Sequence, residues 1–282
     1  MSRRFEGEVA IVTGASTQIG EKTAYLFAKE GALVIANTPV YDLDTGQNSA
    51  DYVDEVVNNI KASGGEATAT YHNVSMMEES EQLISSAINT YGNLDILVNS
   101  YLVPKTQKIY QTPYNEFDHV IKNNLKGTFC PTKYASVQFR KQRRGRIVNI
   151  TSNAGLGITD GASFAAASEG IIGLTRTVAR DLGRYSVTCN AIAAKFAFDP
   201  YGGSNKKSKT PLSESLSITP ENVASLAVFL CTGLVPNVNE CVFSVDENRI
   251  SLYSNPSIKK SAHKWGTFTI DEIEALIPES FS

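Results

Sequence analysis

Between the first β-branched run and the first amphipathic stretch lies Thr13-Gly-Ala-Ser-Thr-Gln-Ile-Gly20. Glycines there permit a tight strand-to-helix turn, and the unpaired N–H groups that open the helix form an anion site in principle. Other residues able to do chemistry are scattered. His72, His119 and His263 suggest neither a triad nor a metal site. Cys130, Cys189, Cys231 and Cys241 lack CxxC or metal-finger spacing and read as reduced, mostly buried thiols of a cytoplasmic protein. The basic run Arg140–Arg146 closes a helical pattern, where cations favour the helix dipole, and reads as a solvated face. Lys206, Lys207 and Lys209 fall in a Gly/Ser/Lys-rich stretch that reads as a surface loop. With a net charge of −3, capture of nucleic acid or of an anionic membrane is not expected. No apolar run approaches the roughly 20 residues of a membrane span. The N-terminus leads directly into a strand and does not read as a signal peptide.

These residues need a scaffold to position them. The chain has 282 residues, 42% hydrophobic and 20% charged, ordinary for one α/β domain. Short β-branched runs at 9–12, 33–36, 67–72, 94–98, 146–150, 186–192 and 242–245 alternate with helical patterns at about 19–30, 50–63, 77–90, 114–142, 164–183 and 220–231. That alternation predicts a Rossmann-type, doubly wound α/β fold with a mainly parallel seven-stranded sheet and helices on both faces. One domain is expected over 1–282, with a core at about 8–248 and a C-terminal extension at about 249–282. Two segments interrupt the rhythm, a turn-rich connection at 37–49 and a loop at 199–215. Thr269-Ile-Asp-Glu272 reads as a capping box opening a helix over Ile270–Leu276, with Ile270, Ile273, Leu276 and Ile277 on one apolar face.

The glycine motif, Leu94-Asp-Ile-Leu-Val-Asn99, Asn123-Asn-Leu-Lys-Gly-Thr-Phe129 and Gly145-Arg-Ile-Val-Asn-Ile-Thr-Ser152 stand in the order and spacing of the short-chain dehydrogenase/reductase family. The resemblance covers about 8–248. The long connection after the second strand, the segment Gly170-Ile-Ile-Gly-Leu-Thr-Arg-Thr and the extended tail resemble the branch acting on hydroxyacyl-CoA thioesters. Active members carry Tyr-x-x-x-Lys after a catalytic serine. The tyrosine exchanges a proton with the substrate hydroxyl as hydride moves to or from nicotinamide, and the lysine lowers its pKa. Ser152 occupies the serine position, whereas Phe164 and Ser168 replace the tyrosine and lysine. Neither replacement can supply that proton relay. Asn124 matches the asparagine that supports the lysine through water. Asn124 and Ser152 are read as remnants whose local task is to hold a helix bulge and to cap a strand end.

The cofactor cradle implied by the resemblance is altered at four places. Gln18 replaces the glycine beside the pyrophosphate, and Thr38 replaces the acid that grips the adenosine ribose. Asp42 and Asp44 lie nearby as speculative substitutes. Tyr101 and Leu102 stand where small residues normally admit the cofactor, and Lys195 stands in place of the Pro-Gly that backs the nicotinamide. A projection of Lys195 into the vacated nicotinamide space is one expectation; a lysine reaching solvent is the other. Gly14, Gly20, Asn73, Val74 and Asn99 remain, and the two glycines are read as structural. No cofactor in this chain and no metal site is therefore expected.

In the family the fourth and fifth helices pack against a second subunit, and the small residues of Gly161–Ser168 permit close approach. The expectation is a pseudoenzyme subunit paired, through helices near 114–142 and 164–183, with an active homologue carrying NAD. The assembly, a heterodimer or heterotetramer, would be a hydroxyacyl-CoA dehydrogenase. A fitting setting is anaerobic degradation of aromatics such as toluene, through a benzylsuccinyl-CoA-type thioester. Two alternatives stay open: an active dehydrogenase with relocated acid/base groups, Tyr101 among them, and a stand-alone ligand-binding regulator.

Overall fold

The computed structural model describes residues 3–42, 46, 48–105, 107–157, 161–195, 220–246 and 248–280. Asp44, the loop at 199–215 and Lys206, Lys207 and Lys209 lie outside the described residues.

Strands β1 (Val9–Thr13), β2 (Leu33–Asn37), β3 (Glu66–Thr70), β4 (Ile96–Asn99), β5 (Gly145–Ser152), β6 (Val187–Ala194) and β7 (Val242–Asp246) run parallel. An eighth strand, β8 (Arg249–Leu252), returns antiparallel along β7. The order is β3-β2-β1-β4-β5-β6-β7-β8, so the chain reverses its direction of winding between β1 and β4. The expected seven-stranded sheet is thus corrected to eight, and the sheet reaches into the segment read as an extension. All four residues of β8 are exposed, so the strand carries no burial signature in its composition.

The parallel strands read as near-continuous apolar runs because helices cover both faces. On β1, Ala10 and Val12 pack in one cluster with Phe27, Val53, Ile60, Val223 and Leu226. Val9 and Ile11 face the other, with Leu83, Phe139 and Leu182. The first face belongs to α1 (Gln18–Lys29), α2 (Ala50–Ala62) and α7 (Pro220–Leu230). The second belongs to α3 (Met77–Tyr91), α5 (Gly127–Gln142) and α6 (Ala162–Gly183).

The helix expected over 114–142 is three pieces. The short α4 (Tyr114–Val120) passes into a π-helical turn, Ile121–Lys126, before α5 begins. Asn123 and Asn124 are buried within that turn, and Pro131 lies inside α5. The terminal helix α8 (Ile270–Ser280) runs past the expected end. Its capping box forms: Thr269 N–H donates to Glu272 Oε2 at 2.8 Å, and Glu272 N–H donates to Thr269 Oγ1 at 3.3 Å. Among the described residues, no helix is long and apolar enough to cross a membrane.

Candidate active site and its cofactor crevice

In a doubly wound sheet, ligands bind beyond the carboxyl ends of the strands where the winding reverses. Here that place lies between the ends of β1 and β4, with β2 beside it. Gly14 follows β1 with φ +66°, a conformation that disfavours side chains. A Cβ there would stand 2.8 Å from both Cα and N of Tyr101. Gly20 has a different reason to be glycine. A Cβ on it would lie 2.1 Å from the Gly14 carbonyl oxygen, so α1 packs onto the turn only because the side chain is missing. Both glycines thus have a structural need that is independent of any phosphate. Thr17 caps α1 by accepting from Gly20 N–H at 3.2 Å, and Gln18 stands exposed in the first turn.

The strand ends are tied across the crevice by the chain's own groups. Ser100 N–H donates to Thr13 Oγ1 at 3.1 Å, and its hydroxyl donates to the Thr13 carbonyl. Ser16 and Thr38 share a hydroxyl–hydroxyl bond of 2.7 Å, and Thr38 is fully buried. The Tyr101 phenol donates to Asp42 Oδ2 at 3.1 Å. Leu102, half-buried, packs on the cluster beneath α1. The ties made by Ser16, Ser100 and Asp42 were not foreseen from sequence. A tyrosine in a small-residue position, with acids in the loop after β2, was the available signal for the tie to Asp42. At the position the resemblance gives to the ribose acid stands Thr38, buried and bonded to Ser16, and the Tyr101 backbone lies against Gly14.

On the adenine side, Asn73 N–H donates to Glu79 Oε2 at 2.7 Å, and its Oδ1 accepts from Ser75 N–H and hydroxyl at 3.0 and 2.8 Å. Val74 is buried in the cluster with Leu83. Asn99 serves the sheet interior. Its Nδ2 donates to Thr132 Oγ1 at 3.0 Å and to Asn149 Oδ1 at 2.8 Å, while Asn149 Nδ2 donates to Thr175 Oγ1 at 2.9 Å.

At the catalytic positions, Ser152 Oγ accepts from Ala154 N–H at 3.1 Å, capping a 3₁₀ turn at Asn153–Leu156. Asn124 clasps the backbone of Val103: its Oδ1 accepts from the N–H at 2.7 Å, and its Nδ2 donates to the carbonyl at 3.0 Å. Both groups therefore do local work. Phe164 is 0% exposed, packed with Val120, Ala154 and Ala167. Ser168 is 1% exposed, and its Oγ has no hydrogen-bond partner among the described residues. Its backbone carbonyl is engaged, accepting from Thr151 Oγ1 at 3.1 Å. Of the two expectations for Lys195, the structure shows a partly exposed ammonium that bonds Asp246 at 3.2 and 3.3 Å, at the end of β7.

Burial raises the pKa of all four cysteines, Cys189 and Cys231 most strongly, so these thiols stay protonated near neutrality. Among the described residues, no three His, Cys, Asp or Glu side chains gather as a metal site.

The sequence matches the short chain dehydrogenase family over residues 8–197. A 3-oxoacyl-(acyl-carrier-protein) reductase from Synechocystis sp. is 37% identical over 231 residues, spanning 80% of this chain and 89% of that protein. A hydroxyacyl-CoA dehydrogenase from Mycobacterium tuberculosis is 31% identical, spanning 98% of this chain and 89% of that one. The crystal structure of a short chain dehydrogenase from Mycobacterium avium superposes with a TM-score of 0.83 at 32% identity, covering 98% of this chain and 95% of that one. On matched sequence, strand order and crevice position alike, the chain belongs to the short-chain dehydrogenase family and resembles its hydroxyacyl-CoA dehydrogenase branch.

Proposed function

We propose that this chain is a catalytically silent subunit that pairs with an active homologue to form an NAD-dependent 3-hydroxyacyl-CoA dehydrogenase. The observation carrying the proposal is the pair Phe164 and Ser168, buried where family members place the tyrosine and lysine of the proton relay. A phenyl ring has no proton to exchange, and a serine brings no positive charge. Loss of a positioned acid/base group alone costs about 10²–10⁴ in rate. Tyr101 does not supply a replacement, because its phenol bonds Asp42 on the β2 side of the crevice, while Ser152 ends β5 on the other. The nicotinamide cofactor and the chemistry then belong to the partner, and this chain contributes the α5 and α6 surfaces.

Co-expression with a homologue retaining Tyr-x-x-x-Lys tests this. The expected result is co-elution on size exclusion and NAD-dependent oxidation of a 3-hydroxyacyl-CoA by the complex, abolished when the partner's tyrosine is replaced. Hydroxyacyl thioesters of the benzylsuccinyl-CoA type are the proposed substrates, in anaerobic aromatic degradation. Turnover by the isolated chain, or separate elution, overturns the proposal.

A further inference from the structure

We propose that Tyr101 and Asp42 form a strut that spans this chain's own crevice and holds its switch point closed without a nucleotide. The inference rests on the silent-subunit reading of the same site and extends it to what occupies the space. Tyr101 leaves the end of β4, and Asp42 lies five residues beyond the end of β2 at Asn37. Because β1 stands between those strands, the bond joining them passes over the turn at Gly14. The contact at Gly14 places the Tyr101 backbone directly against that turn, and the side chain is only 5% exposed.

The other end of the strut is held by contacts of its own loop. Ser49 Oγ donates to the Pro39 carbonyl at 2.6 Å, Ser49 N–H donates to the Val40 carbonyl at 2.9 Å, and Tyr41 bridges to Asn48. Below it, the Ser16–Thr38 bond and the Ala15 N–H to Asn37 carbonyl bond of 3.0 Å close the gap between β1 and β2. At 3.1 Å the phenol–carboxylate bond is longer than the roughly 2.5–2.7 Å of a strong O–H···O⁻ contact, so it is a modest tie. The crevice therefore keeps a bridge between its two walls from within the chain.

The test is thermal unfolding of the full chain as wild type, Tyr101→Phe, Asp42→Asn and the double variant, each with and without millimolar NAD. Each single variant is expected to lower Tm by about 2–4 °C. The double variant should fall by less than the sum of the two single losses, since both remove the shared bond, whatever other contacts Tyr101 and Asp42 keep. NAD should leave the wild-type Tm unchanged. Additive losses, or no loss in either single variant, would overturn the strut, as would a saturable rise in wild-type Tm with NAD. The variant series reads the strut alone and the pairing experiment reads co-elution and turnover, so those two fail separately; a saturable NAD response would count against both.

Discussion

Ser168, at the position the family resemblance gives to the lysine, is at the scale of one residue a polar group that packing has only partly accommodated. Its carbonyl ties α6 to β5 through Thr151, whereas its buried hydroxyl has no partner among the described residues. A buried hydroxyl stripped of water and given no bond is destabilising. In mid-helix, serine is also a weaker helix former than alanine. Ser168→Ala should therefore stabilise the isolated chain by about 1 kcal/mol, read from the urea midpoint at unchanged m-value. A loss of stability of similar size would mean that the hydroxyl holds a partner, and the site would then need a different account. Phe164 needs no such rescue, because it completes an apolar cluster with Val120, Ala154 and Ala167. One replacement has been absorbed by packing and the other only in part.

Among the elements, α8 is the one whose stability is most local. Its described side chains are exposed or half-buried, so the cap carries much of the helix signal. Lys264 Nζ bonds Glu272 at 2.5 and 2.6 Å, and Thr269 donates to the same carboxylate. The Lys264 bond first, and the Thr269 bonds second, hold the Glu272 pKa below the ordinary glutamate value. A carboxyl with a depressed folded pKa contributes at neutral pH and loses that contribution as pH falls through the depressed value. Amide exchange at Glu272 and Ile273, whose N–H groups bond Thr269, should stay slow relative to intrinsic rates into mild acid, then lose protection below the ordinary glutamate range. Thr269→Ala should remove much of that protection at every pH and leave the melting of the core unchanged. Global destabilisation would show instead that α8 docks on the body.

This capping box was legible in four consecutive residues, as were the β-branched strands and the glycine turn, because each is specified locally. β8 was not, since a strand exposed along its whole length shows no alternation of burial. The π turn at Ile121–Lys126 was legible only as the helix bulge expected at Asn124, not in its extent, because the extra residue leaves no local signal of where the turn starts and ends. The Tyr101–Asp42 bond joins residues 59 apart in sequence, and only the order of β2, β1 and β4 brings them together. Lys195 shows the converse: its position was legible, but its direction is set by Asp246, 51 residues on.

At the scale of the whole molecule, a subunit reading needs a surface that folding does not use, and α6 offers one. Its inner side buries Phe164, Ser168, Ile171, Ile172, Thr175 and Ala179. Its outer side exposes the small residues Ala166, Gly173 and Thr177. On the neighbouring α5, Phe129 and Val137 are 44% and 49% exposed. Gly170 and Gly173 of α6 stand in different surroundings. A Cβ on Gly170 would press on Leu125 at 2.9 Å, so that glycine serves this chain's own interior. A Cβ on Gly173 would meet nothing within 4 Å, so nothing inside the chain requires glycine there. A glycine in mid-helix instead costs about 0.8–1.0 kcal/mol relative to alanine. Helices approach to within about 8–10 Å according to the size of the side chains between them, and a small residue on the outer face suits a second helix packed closely there. Gly173→Arg should accordingly leave the isolated chain as stable as wild type or slightly more so. In co-expression it should lose co-elution with the active homologue and, with it, the stabilisation that pairing gives this chain. Light scattering on the eluted peaks reads the first effect and thermal unfolding the second. Retained association with an arginine at that position would place the interface elsewhere than on α6.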